Sequence, residues 1–396
     1  MANIIDYVRE VREPFTELPL NRVDSLVLSW VAYVVFPEDS PVRTAEGQSL
    51  SESFGHGGLV GMTASLHNPS STQQLLEAIA TSPRFGEVVA RLHLERSSKV
   101  DETQFSGTAL SIPGGGTYVG FRGTDNTLIG WKEDFNMAFQ PEVPAQVTAT
   151  AYLQIIAEQF PGPLWVGGHS KGGNLAVFAT MRTEDAVRAR ILRCFSHDGP
   201  GFIEETTSDP RWAGAYDLVD KTVPEESIIG LLLERPEVAP LIVESTNKSL
   251  MQHAPFSWVV DGRDFKSGGA VSYDSYRRNK RLSSWMLGMT NEQRGRFIEV
   301  LYKLAQATGE VTFSGLVGSV RDGSLSLILK RLDGMDEEDR GFFVSALDEL
   351  VATMLLGPAP KEAKTNSEAV DIASDRIDDI TAKFNDTMDK WSKYLS

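Results

Sequence analysis

Apolar residues recur at helical spacing from Asn21 to Phe36, where Val23, Leu26, Val27, Trp30, Val31 and Val34 share one face and predict a first buried helix. A stretch rich in Pro, Ser and Gly from Pro37 to Gly61 reads as a long loop. Leu75 to Leu94 is again helical in pattern. Ala109–Ile112 and Thr117–Phe121 are strand candidates, joined by a hairpin turn at residues 113–116 (Pro-Gly-Gly-Gly). Gln146 to Phe160 predicts an amphipathic helix that leads through residues 161–163 (Pro-Gly-Pro) into a short apolar strand from Leu164. Ile191–Ser196, Leu218–Val223 and Leu241–Ser245 read as further buried strands. Strands alternating with helices imply right-handed crossovers and a largely parallel central sheet, which is the α/β class.

The pattern changes after about residue 270. Residues 290–293 (Thr-Asn-Glu-Gln) form a capping box that opens a helix through Phe297, Val300, Leu301 and Leu304. A second helical segment is expected from Phe313 to Leu332, and a third from the acidic run at Asp336 to Leu356. Gly357 to Ser367 is linker-like, and Ile377, Ile380, Phe384, Met388, Trp391 and Leu395 give the last segment an apolar stripe. Three parts are expected: an α/β domain at 1–270, a helical appendage at 271–357, and a linker with a C-terminal amphipathic helix at 358–396. The stripe of that last helix makes it the candidate for self-association into a homodimer.

The densest chemistry lies between the strand at Leu164 and the helix through Ala176. There Gly168, Ser170 and Gly172 match the G-x-S-x-G nucleophile elbow, with His169 and Lys171 between them. A serine on so sharp a strand-to-helix turn is exposed at its tip, and a side chain at either glycine would strike the neighbouring strand or helix. The helix N-terminus behind it brings N–H groups and partial positive charge towards a developing oxyanion. Between a strand pattern and a helix pattern, the motif makes Ser170 the candidate nucleophile of an α/β-hydrolase fold.

A serine nucleophile needs a base, an acid to orient that base, and oxyanion donors. In the α/β-hydrolase order the acid and then the histidine follow the serine. Of six histidines only His197 and His253 do so. His253 lies on a loop beyond the last predicted core strand, where the base belongs; His197 ends a predicted strand. His169 flanks the nucleophile and reads as a packing residue. Two carboxylates compete as the acid: Asp198, opening the turn to Phe202, and Glu226, after the following strand. The first oxyanion donor is expected to be the backbone N–H of Lys171. The second is expected from the turn after an earlier strand, at Thr124 of Phe121–Thr124 (Phe-Arg-Gly-Thr). The glycine-rich Gly55–Gly58 is a rival for that role, but no strand precedes it.

A formal charge of −16 argues against nucleic acid or an anionic membrane surface as the main partner. The single cysteine, Cys194, sits in an apolar run and reads as core; it cannot form a disulfide within the chain. No metal-ligand spacing and no phosphate-binding glycine loop appears, so neither a metal nor an organic cofactor is expected. No signal-like or membrane-spanning segment appears either, and the expected compartment is the cytoplasm.

Several of these motifs together resemble a known family. Residues 121–137, 168–176, 198–202, 224–232 and 253–258 are similar to the recurrent motifs of the Mbeg1-like family, bacterial relatives of the class 3 lipases. The resemblance covers roughly residues 1–270. It implies lipase-, esterase- or lysophospholipase-like activity on a small acyl ester or lipid, with Ser170 as nucleophile, His253 as base, and Thr124 and Lys171 at the oxyanion hole. The family motif at 198–202 includes the aspartate, which places Asp198 ahead of Glu226. Class 3 lipases carry their acid after the following strand, so Glu226 stays the alternative. Lys171 stands where lipases usually have an apolar residue, a cation suited to a charged substrate or to pairing with Asp125 or Glu133. The same triad would also serve an acyltransferase or thioesterase. A catalytically silent interaction protein is the rival from another class.

Overall fold

The computed structural model describes residues 1–66, 68–98, 103–124, 128–137, 139–234, 237–307 and 337–356. The expected helix at 313–332, the linker and the last amphipathic helix fall outside them. Eight strands form one sheet in sequence order: β1 (Gln48–Ser49), β2 (Val89–Ser98), β3 (Thr103–Ser111), β4 (Thr117–Phe121), β5 (Leu164–His169), β6 (Ile191–His197), β7 (Val219–Pro224) and β8 (Leu241–Val243). The pairings from β1 to β4 are antiparallel and those from β4 to β8 are parallel. The fold is α/β, a mixed sheet whose parallel half runs from β4 to the edge strand β8.

Alternation along the strands divides the core between the two faces. Tyr118 of β4 and Phe195 of β6 join a cluster with α1 (Ile4–Glu10), α2 (Arg22–Val31), α3 (Leu50–Gly55), α4 (Leu59–Thr63) and α5 (Pro69–Thr81). A separate helix, α6 (Leu128–Asn136), follows β4. On the other face Val119, Phe121 and Cys194 pack with α7 (Pro144–Gln159) and α8 (Lys171–Arg182). Cys194 is wholly buried, which pushes its thiol up to about 12.

Two stretches depart from the sequence pattern. Pro37–Gly61 is not one long loop: it holds a 3₁₀ turn at Pro41–Arg43, the edge strand β1, α3 and the start of α4. Its glycines mask short elements whose apolar residues, Val42, Leu50, Phe54 and Leu59, are buried. The helical run expected at 75–94 instead ends at Thr81, because Ser82 is extended ahead of Pro83. The apolar residues that follow belong to β2, paired with β3.

Three short helices come next, α9 (Asp185–Arg188), α10 (Glu204–Thr207) and α11 (Trp212–Tyr216), and then α12 (Tyr273–Gly288), α13 (Asn291–Ala307) and α14 (Glu337–Leu356). The chain divides into two compact units, Met1–Asp125 with Gln140–Asn279, and Asn126–Phe139 with Lys280–Ser396. The compositional change near residue 270 and the division by packing therefore differ: α12 begins in the first unit and ends in the second. Within the second unit, Trp285, Phe297, Val300 and Phe343 form a cluster. Thr290 and Gln293 cap α13 reciprocally, at 3.2 and 2.8 Å, as the capping box predicts. Among the described residues no helix is long and apolar enough to cross a membrane.

Candidate active site

β5 ends at His169 and α8 begins at Lys171, so the reversal falls on Ser170 alone, at φ 59° and ψ −132°. Such a conformation at a residue with a Cβ costs about 1–3 kcal/mol and persists only where the surroundings enforce it. The enforcement is close packing of strand on helix. A Cβ on Gly168 would lie 2.2 Å from the carbonyl carbon of Gly172, and one on Gly172 would lie 2.2 Å from Phe121 O. The motif's spacing is thus a steric requirement at both ends of the turn. Ser170 is half-buried, with its N–H bonded to His197 O at 2.9 Å.

A 3₁₀ turn and a strand end bring two further side chains to this turn. His253 closes a 3₁₀ turn, Ser249–His253, and its Nε2 lies 2.9 Å from Ser170 Oγ. Its Nδ1 lies 2.6 Å from Oδ2 of Asp198, the residue after β6. The carboxylate can only accept here, so Nδ1–H donates to it and Nε2 is left with its lone pair facing the serine hydroxyl. Asp198 is fully buried, and its Oδ1 accepts from Ser227 Oγ at 2.5 Å and Gly230 N–H at 3.1 Å. Three donors around one desolvated carboxylate offset much of the cost of burying it.

The other candidates are placed elsewhere. Glu226 is occupied with the turn that carries His253: its Oε2 accepts the Ser249 N–H, and its own N–H donates to Gln252 Oε1 at 2.7 Å. His197 is buried in the core with Nε2 2.9 Å from Ser25 Oγ, and burial pushes its pKa down to about 3. His169 packs against His253. Its Nε2–H donates to His253 O at 2.9 Å, its Nδ1 lies 3.2 Å from Tyr33 Oη, and its ring centroid is 4.6 Å from that of His253.

The two expected oxyanion donors stand at the start of α8 and on the turn after β4. Lys171 is the first residue of α8, so its N–H belongs to the helix N-terminus. Thr124 stands three residues beyond the end of β4, nine-tenths buried. The turn leading to it touches the elbow directly: a Cβ on Gly123 would lie 2.6 Å from His169 O and 3.0 Å from Ser170 Cβ. The Lys171 ammonium turns inward, bonding Gln104 O at 2.9 Å with the residue 1% exposed, which removes it as a contact for a charged substrate. Asp125 lies outside the described residues. Gly55–Gly58 is a solvent-exposed turn between α3 and α4. A small cavity lined by Val177, Ser196, Phe202, Trp212 and Lys221 lies along the Gly199–Phe202 turn, and neither Ser170 nor His253 lines it.

Sequence reasoning missed Ser227 and Gly230, the donors to Asp198. Both stand in the motif at 224–232, so the signal was present without a role attached. Tyr33, on the turn after α2, was also missed; one more aromatic on an apolar helix gave no sign of a contact with His169.

A family model described as Mbeg1-like matches residues 79–303. No curated protein matches the chain. Among solved structures the chain is similar to a "Crystal structure of M37 lipase", at 14% identity and a TM-score of 0.33, over 52% of this chain and 68% of that one. It is also similar to lipase II from Rhizopus niveus, at 14% identity and a TM-score of 0.32, over 56% of this chain and 88% of that one.

Proposed function

The chain belongs to the Mbeg1-like family, and on that premise we propose that it is a serine hydrolase that cleaves carboxylic esters. The observation that carries the reading is the unbroken chain of hydrogen bonds from Ser170 Oγ through the His253 ring to the buried Asp198. Ser170 is the nucleophile, His253 the general base and Asp198 the group that fixes the base. Glu226 is left with a structural task.

In the first half-reaction Ser170 Oγ attacks the acyl carbon while its proton passes to His253 Nε2. The carbonyl π pair moves onto oxygen, and the oxyanion is met by the N–H of Lys171 and by Thr124. Each such donor is worth about 10²–10³ in turnover in comparable sites. Collapse breaks the bond to the leaving alkoxide, which takes the proton from His253. Water then attacks the acyl-serine, its proton passing to His253 and on to Ser170 as the acid leaves. Asp198 stays ionised throughout and stabilises the imidazolium. The substrate class supported is an acyl ester or lipid. The buried Lys171 ammonium gives no support to a charged headgroup. The test is hydrolysis of a p-nitrophenyl ester series by the wild-type protein and by Ser170→Ala: activity in the first and none in the second is expected, and equal rates would overturn the reading.

A further inference from the structure

The loop after β7 holds both partners of the proposed nucleophile. On one side Ser227 Oγ and Gly230 N–H bond Asp198 Oδ1. On the other, Glu226 grips the turn that ends in His253 through Ser249 N–H and Gln252 Oε1. This loop is in turn gripped by the start of α12. Ser272 N–H donates to Glu225 O at 2.8 Å, while Ser275 Oγ and Asn279 Nδ2 both donate to Ser227 O, at 2.8 and 2.9 Å. Ser275 and Asn279 stand four apart on one helix face, and both are buried, as is Ser227.

The direction of the hydroxyl follows from its neighbours. Gly230 N–H also reaches Ser227 Oγ, at 3.1 Å, so this oxygen is already an acceptor and its proton is left for the carboxylate. With Oδ1 tied by two donors, the remaining freedom of the carboxylate about χ2 is removed and Oδ2 stays aimed at His253 Nδ1. Without the hydroxyl, Oδ1 keeps the Gly230 N–H alone, and more of the negative charge faces the imidazole. Lys221 of β7 also acts on Asp198 electrostatically and is unchanged by any substitution considered below.

We propose that Ser227, clamped by Ser275 and Asn279 of α12, is a positioning residue for Asp198. The first turns of α12 then belong to the catalytic apparatus, not to an appendage. The proposal rests on the hydrolase reading given above. A role in packing alone would make the same helix contacts matter for stability but not for the ionisation of the base, and that difference is measurable.

The experiment measures kcat and KM for a p-nitrophenyl ester across pH, and the rate of fluorophosphonate labelling, for wild type, Ser227→Ala, Ser227→Thr, Ser275→Ala and Asn279→Ala. Ser227→Ala is expected to lower kcat by roughly 10- to 100-fold with KM little changed. It should also move the acid limb of kcat/KM upward by about half a pH unit, because the less neutralised carboxylate favours the imidazolium. Ser227→Thr keeps the hydroxyl and should restore the limb and most of the rate. Ser275→Ala and Asn279→Ala should lower kcat less, and adding Ser275→Ala to Ser227→Ala should cost little more, since one acts through the other. A limb that does not move in Ser227→Ala overturns the proposal, as does a loss that Thr fails to relieve. If Ser227→Ala does not fold, the two helix variants decide, and unchanged kcat in both overturns it. A wild-type protein whose Ser170 takes no fluorophosphonate would instead sink the hydrolase reading, and the positioning role with it.

Discussion

Replacing Asp198 by Asn changes one atom, and the hydrogen bonds around that atom fix the consequence. Oδ1 accepts from the Ser227 hydroxyl and the Gly230 N–H, so the amide oxygen must take this place to keep both bonds. The NH₂ then occupies the Oδ2 position, 2.6 Å from His253 Nδ1 in the native chain. Two donors cannot face each other, so Nδ1 becomes the acceptor and the ring proton moves to Nε2, against Ser170 Oγ. The base is lost while the geometry survives. Loss of the correct tautomer costs about 10⁴ in turnover in serine proteases, about 5.4 kcal/mol at 1.36 kcal/mol per decade. Stability should fall by only about 1–2 kcal/mol, the difference between charge-assisted and neutral hydrogen bonds at a site whose other donors stay satisfied. The assay is kcat/KM for a p-nitrophenyl ester, with the urea midpoint as the check on folding. A folded Asp198→Asn protein within about ten-fold of wild type would refute the reasoning.

Glu226→Gln keeps an acceptor for the Ser249 N–H and should cost only a few-fold in kcat/KM; a loss equal to that of Asp198→Asn would return Glu226 to the acid's role. Gly172→Ala drives a Cβ to 2.2 Å from the backbone O of Phe121, and should lower unfolding free energy by about 1–3 kcal/mol and abolish hydrolysis; an unchanged urea midpoint would refute the steric account of the elbow. Burial pushes His93 and His197 down to about 3, below the value of about 6.5 in an unfolded chain. The unfolded state therefore binds the extra protons, and the stability these rings contribute is complete above about pH 6.5 and lost as pH falls below it. Between pH 7.5 and 5.5 the two together should lose roughly 3 kcal/mol of unfolding free energy in urea titrations, and equal stabilities at the two values would contradict this.

The parallel half of the sheet was legible because each of its strands is a short buried run bounded by turn residues. Its order of strands and helices also set the sequence in which the candidate nucleophile, acid and base appear. Ser170, His253 and Asp198 could be named from that order and from motif context. The antiparallel edge was less legible: Val88 to Leu94 follows an amphipathic helix without a change in apolar content, and only Pro83 marks the break. Motif resemblance alone ranked Asp198 ahead of Glu226, since each follows a strand and the approach to the His253 ring depends on the paths of the loops. Ser227, Ser275 and Asn279 illustrate what patterning does not encode. They are small polar residues, common at turns and helix starts, and their importance lies in a carbonyl and a carboxylate far away in sequence. The compositional change near residue 270 likewise hid the attachment of α12 to the site, because composition follows exposure and not hydrogen bonding.

The most direct measurement is reaction of the intact protein with a fluorophosphonate, followed by mass mapping of the adduct. A strained serine facing an imidazole lone pair at 2.9 Å should be the one activated hydroxyl in the chain. The account predicts one phosphonyl group per chain on Ser170, and no adduct in Ser170→Ala at the same protein concentration. Labelling that persists in Ser170→Ala, or an adduct mapped to another serine of the wild-type protein, would contradict it.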